Sequence, residues 1–388
     1  MMKLARPKEC TACMACIDGC TKKALRAEVN KNGYFVIVEE EEKCINCGLC
    51  TQICPIINPI NTDNCKSEPY AAWNTDLNQR EKSASGGVFA ALATIILKKG
   101  GVVYGAIIDG FDVMHKRIDN IKDLPSIQGS KYQQSQMNGI YKQVKKDLID
   151  NKVVLFSGLG CQIAGLISFL GKIERGNLYT VDMICGGLST MLPMLQLKNS
   201  GKYNGIKSFR DKENGWQSNG FKYSLKMIGK DGKIENLGAD NLALTTFSSR
   251  LLKRSSCLDC KFTGFHRNSD CTIGDFWGIE KFREQHKDGI SVLIVHNNRI
   301  KSLLKNIAID MKNVLWSDII RMNSNICWTK YPLIRYFPGR FFVLNRIRNQ
   351  KTELVKTIMN YKSYLSLGMR IYMLFNKKSK EKYLKNFD

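Results

Sequence analysis

A small α+β unit followed by a larger α/β domain with a mixed sheet is the fold the sequence predicts, and three observations predict it. A cysteine pattern recurs at an offset of 34 residues within the first 54 positions. Between its two copies lies a short alternating segment broken at Asn32-Gly33. From Tyr70 onward, apolar helices and buried strand-like runs alternate to about residue 300. The expected organisation is a first unit over 1–60, a linker over 61–69, the main domain over 70–315 and a basic, mostly helical extension over 316–388. At 388 residues, 44% hydrophobic and 24% charged, the chain has the composition of a globular protein of two or three domains.

The repeat reads Cys10-x-x-Cys13-x-x-Cys16-x-x-x-Cys20 and then Cys44-x-x-Cys47-x-x-Cys50-x-x-x-Cys54-Pro55. This is the ligand run of bacterial two-cluster ferredoxins, in which each fourth cysteine serves the other cluster. The expected sets are Cys10, Cys13, Cys16 with Cys54, and Cys44, Cys47, Cys50 with Cys20. Three closely spaced thiolates wrap one [4Fe–4S] cube, and the following helix carries the fourth across to its neighbour. A zinc site or unliganded thiols are the alternatives, and two full copies in one register weigh against both. "LRAEVNKNGYFVIVEE" alternates on both sides of Asn32-Gly33 and predicts a hairpin between the runs. Thr21 stands where proline is usual, which affects packing and not ligation. Cys65 falls in the Pro/Asn-rich linker and is assigned no ligand role.

In the main domain, Gly87–Lys99 reads as an apolar helix closed by Gly100-Gly101, and "VVYGAII" as a buried strand. An amphipathic helix over 138–150, the strand "KVVLFSG", a helix over 161–171 and the strand "NLYTVDMIC" continue the alternation. Residues 203–240 read as hairpins with Gly-rich turns. "CTIGDFWGI" and "ISVLIVHN" are further strands, and a basic helical tail begins near Trp316.

Four stretches of this domain are candidates for chemistry. "SASGG" puts Ser83, Ser85, Gly86 and Gly87 at a helix start, where free N–H groups favour phosphate; a plain N-cap is the alternative. "GSKYQQS" offers Gly129, Ser130, Lys131, Gln134 and Ser135, a set that suits a nucleotide. Cys161 follows a strand and a Gly-rich turn at a helix N-terminus, which stabilises a thiolate; it reads as nucleophile, metal ligand or buried small residue. Cys185 ends the next strand on the same sheet edge, where ligands collect in α/β folds. The last stretch, "SSCLDCKFTGFHRNSDC", holds Cys257, Cys260, His266 and Cys271 and on its own looks like a zinc knuckle.

Composition narrows the partners. Fifteen cysteines in a chain without an apolar leader point to metal or redox chemistry in the cytoplasm rather than disulfides. The formal charge is +24, and each cluster lowers it by about two units, so the chain stays basic. Residues 1–65 carry eight basic and eight acidic side chains, whereas 330–388 carry fourteen and three. A basic surface attracts an acidic redox carrier, an anionic cofactor, lipid headgroups or nucleic acid, or is simply a solvated face. The ferredoxin repeat argues against a nucleic-acid binder. The stripe over 354–376 reads either as a packed helix or as a peripheral membrane contact.

Taken together, "SASGGVFAALA", "VVYGA", "GSKYQQS", "VLFSGLGCQIAGL", "DMICGG", "FRDKENGW", "SCLDCKF" and "RNSDCTIGDFWG" resemble the coenzyme F420 hydrogenase/dehydrogenase beta-subunit family. They run in that family's order from about residue 70 to 300, with a ferredoxin module fused in front. The resemblance implies a flavoprotein domain with FAD lying against the "SASGG" and "GSKYQQS" segments. It also implies a third [4Fe–4S] cluster on Cys161, Cys185, Cys257 and Cys260, with His266 and Cys271 as bystanders. The chain departs from the family pattern at Leu159-Gly160, where Thr-Pro is common, at Gly186, where His is common, and at Cys271, usually aliphatic. The expected function is an oxidoreductase moving electrons between an external carrier, the clusters, FAD and either coenzyme F420 or a small organic substrate. Some relatives belong to surface-polysaccharide gene sets. The alternative is an electron-transfer subunit without a substrate of its own, serving a partner oxidoreductase subunit.

Overall fold

The computed structural model describes residues 4–61, 67–210, 212–213, 216, 224–238, 240–249, 251–277, 282–320, 323–326 and 339–350. In the first unit, each cysteine run passes through left-handed backbone and then into a short helix, α1 (Ala15–Gly19) or α2 (Leu49–Gln52). Ala12 and Met14 have φ of 51° and 67°; Asn46 and Gly48, at the matching positions of the second run, have 54° and 73°. The sequence repeat is therefore a backbone repeat. Such conformations cost of order 1–3 kcal/mol at a non-glycine residue and persist where the surroundings hold them.

Strands β1 (Leu25–Val29) and β2 (Phe35–Glu39) pair antiparallel between the runs. Their turn is longer than the Asn-Gly pair alone requires. Lys31, Asn32 and Gly33 form the loop, with Gly33 left-handed at φ 75° and its N–H on Asn30 O. The side chain of Asn30 accepts from the N–H groups of Asn32 and Tyr34, which selects this loop.

The main domain begins with β3 (Glu68–Asn74), α3 (Leu77–Glu81) and α4 (Val88–Lys98), then β4 (Val102–Asp109) and β5 (Asp112–Ile118). There follow α5 (Leu124–Ile127), α6 (Ile140–Ile149), β6 (Val154–Gly158), α7 (Gly160–Leu170) and β7 (Leu178–Met183). Next come α8 (Leu192–Asn199), β8 (Tyr203–Ser208), β9 (Lys226–Gly229), β10 (Ile234–Asn236) and α9 (Leu242–Ser249). The last elements are β11 (Cys271–Asp275), β12 (Ser291–Val295), α10 (Asn298–Leu304), β13 (Ile309–Asn313), α11 (Trp316–Ile320) and α12 (Gly339–Arg348).

Eight strands form one mixed sheet in the order β13-β3-β12-β11-β7-β6-β4-β5. Its centre is parallel, β4 beside β6, β6 beside β7 and β7 beside β11. The flanks are antiparallel. Strands β8, β9 and β10 make a separate three-stranded sheet where hairpins were expected. One face of the large sheet packs on α4 and α10, through Leu92, Ile96, Val103, Leu155, Ile300 and Leu303. The other packs on α6 and α7, and there Ala12, Met14, Ala15 and Phe35 of the first unit enter the same core as Tyr141, Phe156 and Ile163.

The start of the expected extension belongs to this body. Trp316, Ile319 and Ile320 are buried with Trp73 and Phe265, and Val343, Leu344 and Ile347 pack on Leu251, Leu252 and Leu258. The stripe over 354–376 and Cys65 lie outside the described residues. No helix among the described residues is long and apolar enough to cross a membrane.

One carboxylate joins the two units. Asp18 of α1 accepts from the N–H of Gly139 at 2.6 Å and of Tyr141 at 2.9 Å, capping α6 across the domain boundary. Burial raises its carboxyl above the usual range, against those same N–H groups. Asp18→Ala is expected to destabilise the protein by about 1–2 kcal/mol in anaerobic thermal denaturation, with Asp18→Asn milder. An unchanged melting temperature in Asp18→Ala contradicts this role.

Candidate metal centre

The eight cysteines of the first unit separate into two groups. Cys20, Cys44, Cys47 and Cys50 together line an apolar hollow at the surface, beside Ala24, Ile45 and Leu49. Cys47 is exposed, and Ile45 beside it is 59% exposed. The other group is deeper. Burial pushes the Cys13 thiol up to about 12, and Cys10 and Cys54 push the same way. Cys16 is raised further by burial, with Cys13, Cys10 and Cys54 adding to it. Each group holds three cysteines of one run and the fourth of the other.

A third group is assembled from distant parts of the main domain. Cys161 lies at the start of α7, Cys185 just past β7, and Cys257 and Cys260 at the turn over Ser255–Asp259. Burial lifts the Cys161 thiol well above its ordinary value, and Cys260, Cys13, Cys257 and Cys185 all act in the same direction. Burial pushes Cys260 up to about 12, with Cys257 and Cys185 adding to it. Backbone N–H groups point at three of these sulfurs: Gly187 at Cys185 (3.3 Å), Leu188 at Cys257 (3.4 Å) and Phe262 at Cys260 (3.4 Å).

The donor set fits an anionic thiolate cluster. Buried thiols are held protonated by desolvation unless a cation takes their place, and iron supplies that charge. Arg267 Nη2 and Ser256 Oγ are buried with no hydrogen-bond partner among the described residues, two donors beside these cysteines with acceptors still to meet. The Arg267 charge favours the thiolates of Cys185 and Cys260. Among the described residues, no three His, Cys, Asp or Glu side chains converge as ligands of a single metal ion. Cluster thiolates bind separate irons and have no need to converge.

The local zinc knuckle is not assembled. His266 is exposed, whereas Cys271 is fully buried in β11, paired with Val181 and Val295. Its sulfur packs in the sheet core and not with Cys257 and Cys260.

The first and third groups meet at α7. A side-chain carbon placed on Gly165 would sit 3.0 Å from Cys13 Sγ and 3.2 Å from Tyr141 Oη, so the helix backbone itself touches the Cys13 loop. Tyr141 Oη lies 2.8 Å from Cys13 O and 3.1 Å from Gln162 O, bridging the two units. Gln134 Nε2 donates to the carbonyls of Thr11 and Ala12 at 3.0 and 3.1 Å. Arg254 donates from Nε to Cys10 O at 2.9 Å and from Nη1 to Phe35 O at 2.7 Å. Sequence reasoning missed Tyr141 and Arg254, which carry no motif of their own.

The expected cofactor residues divide in two. Ser83 Oγ donates to Gln79 O and Ser85 Oγ to Ile290 O, while Gly86 N–H donates to Ser291 Oγ and Gly87 caps α4. Gln128 Nε2 reaches Ser83 Oγ at 3.3 Å, which brings Gly129, Ser130 and Lys131 to this helix start. Two desolvated amines are here. Burial lowers Lys131 to about 7, and burial with Arg80 and Arg210 lowers Lys212 to about 7. Lys212 Nζ donates to the carbonyls of Arg80, Ser85 and Asp288. Lys131 Nζ donates to Gln128 O at 2.6 Å and Ser126 O at 3.4 Å, which leaves it one donor, whereas the three donors of Lys212 are all taken by carbonyls. At the other end of the segment, Gln134 instead holds the Cys10–Cys13 loop, and Ser135 Oγ accepts from Gln162 Nε2 (2.9 Å).

Two of the three departures from the family pattern sit in tight surroundings. Gln162 Oε1 accepts from Leu159 N–H at 2.9 Å to start α7, and any side chain on Gly160 would meet Phe262 O at 2.9 Å. A side chain on Gly186 would press on Asn325 Nδ2 at 3.1 Å.

A mixed sheet carrying a two-group cysteine module against its parallel strands defines an iron–sulfur electron-transfer protein. Residues 9–56 match the family model of the 4Fe-4S dicluster domain, and residues 151–318 match that of the C-terminal region of the coenzyme F420 hydrogenase/dehydrogenase beta subunit. The chain is thus related to those beta subunits, with the dicluster domain at its N-terminus, as its motifs indicate. No curated protein matches it. A chain of the F420-reducing [NiFe] hydrogenase complex from Methanosarcina barkeri, solved with xenon derivatization, aligns over 72% of this chain and 91% of its own length, at 13% identity and a TM-score of 0.45.

Gly165→Val is expected to push the Cys13 loop off α7 and destabilise the holoprotein by about 1–3 kcal/mol, read by anaerobic thermal denaturation. A stability equal to wild type contradicts the contact.

Proposed function

We propose that this protein is an iron–sulfur flavoprotein oxidoreductase in which three cysteine groups form one relay. The observation that carries the reading is the close approach of Cys13 to the α7 backbone, four residues from Cys161 in sequence. Cys20, Cys44, Cys47 and Cys50 hold the outermost cluster, at a surface open to a redox protein or to a partner oxidoreductase. Cys10, Cys13, Cys16 and Cys54 hold the next, and Cys161, Cys185, Cys257 and Cys260 the innermost. The segment from Gln128 to Ser135 spans from the "SASGG" helix start to the Cys10–Cys13 loop, so a dinucleotide lying along it reaches both. Lys131 holds its phosphates with its remaining donor, and Lys212, bound to the carbonyls of Arg80, Ser85 and Asp288, shapes the helix start. Bound there, clusters supply one-electron transfer and the flavin couples it to two-electron chemistry. Coenzyme F420 or a small organic molecule, including one from surface-polysaccharide synthesis, is the terminal substrate class.

Metal, sulfide and flavin quantitation on one anaerobic preparation tests this. About twelve iron and twelve sulfide per chain are expected, with flavin absorbance that bleaches on reduction. Cys161→Ser is expected to lose about one cluster's iron and keep the rest. About eight iron in wild type removes the innermost cluster, and a flavin-free holoprotein with full iron favours the electron-transfer subunit without a substrate.

Lys131 gives a pH dependence. In the free protein burial makes its amine lose its proton as pH rises through about 7. An anion bound beside it favours the charged form, so binding above that pH takes up protons. FAD affinity is expected to fall between about pH 6 and about pH 9, and Lys131→Met to flatten the profile. A flat profile in wild type contradicts the phosphate assignment.

A further inference from the structure

We propose that Lys253 sets the reduction potential of the cluster held by Cys161, Cys185, Cys257 and Cys260, acting through the Gly187–Leu188 peptide. The inference rests on the four-cysteine reading above. Lys253 is 2% exposed, four residues before Cys257. Its amine donates to Gly187 O at 2.7 Å and lies 3.9 Å from the ring centre of Phe247. The carbonyl of Gly187 and the N–H of Leu188 belong to one peptide unit, and that N–H points at Cys257 Sγ at 3.4 Å. A cation on the oxygen draws electron density from the nitrogen, so the N–H becomes a stronger donor to sulfur. Stronger donation to ligand sulfur stabilises the more negative, reduced cluster and raises its potential.

The geometry is held from both sides. Gly187 has φ 89°, and a side-chain carbon there would lie 2.9 Å from Cys257 Cβ and 3.3 Å from Lys253 Cδ. The N–H of Arg254 donates to Leu188 O at 2.7 Å, and that of Thr190 to Leu252 O at 3.1 Å, which fixes the register of the two segments. The charge also reaches Cys185 directly.

The first cluster has a neutral counterpart of this device. Ala12 N–H points at Cys10 Sγ at 3.4 Å, and the carbonyl of its peptide unit, Thr11 O, accepts from Gln134. A neutral amide sits there on the carbonyl, where Lys253 places a full charge on that of Gly187, and the Arg254 charge lies one peptide away on Cys10 O.

An anaerobic redox titration followed by electron paramagnetic resonance, on the full holoprotein with iron counted in each preparation, tests the proposal. In Lys253→Met, and in Lys253→Gln, which keeps a donor without the charge, one cluster's midpoint is expected to shift negative. The two dicluster signals stay where they are, and Lys253→Arg stays near wild type. Full iron with no shift in Lys253→Met and Lys253→Gln overturns the proposal and leaves the cluster reading standing. So does loss of the cluster in all three variants, which assigns Lys253 a structural role. About eight iron in wild type overturns the cluster reading itself, and the proposal with it.

Discussion

The arrangement of this protein depends on taking thiols out of water in pairs of neighbouring groups. Cys13 and Cys161 are both raised by burial, and each lies within electrostatic reach of others like it. Empty, such an assembly of sulfurs stabilises little, because each thiolate lacks a counter-charge. For the cysteines of the dicluster domain, iron turns the same burial into an asset: a desolvated, hydrogen-bonded set of ligands whose potential the surrounding dipoles tune. The fold answers this constraint by using the first unit as a lid on the α6–α7 face, not as a module on a tether. Asp18, Gln134, Tyr141 and Arg254 form that junction, and all four are buried polar groups bound to backbone.

Adjacent residues carry the coupling between sites. Lys253 turns to Gly187 and the Cys257 side, while Arg254 turns to Cys10 and Phe35 on the other. Two buried cations in sequence are expensive unless each is hydrogen-bonded, and here each is bound to backbone carbonyls of a different segment. The segment from Gln128 to Ser135 works in the same way. Its first half lies against Ser83 and its second half against the Cys10–Cys13 loop, so eight residues connect the two places.

What was legible in the sequence was local. The eight cysteines of the first unit could be read because ligand spacing, left-handed backbone and the following helix are all set within a few residues. The parallel strands β4, β6 and β7 could be read from continuous apolar runs that both faces of a covered sheet demand. Strand β3 could not: "EPYAAWN" contains Pro69 and two alanines, yet it lies between β12 and β13 because small side chains let α4 pack closely. Gln134 illustrates the limit at the site. Its type and neighbourhood suit a nucleotide, and only the tertiary placement shows its amide on Thr11 and Ala12. Lys253 and Arg254 carry no signal in "LLKRSSC" because burial is not written in residue type.

The same distinction governs how the net charge bears on partners. A total of +24 suggests attraction to acidic proteins, but solvent screens charges beyond about 8–10 Å, so only those near the docking surface steer an encounter. Around the outermost cysteine group, residues 20–54 contain five basic and five acidic side chains. Several are paired with each other: Arg26 with Glu28 and Glu40, and Lys43 with Glu40. The surface through which electrons most directly reach Cys47 is thus locally balanced, with Ile45 at its centre. What that surface offers a partner is shape and apolar contact, and the basic excess is concentrated in another part of the sequence, residues 330–388.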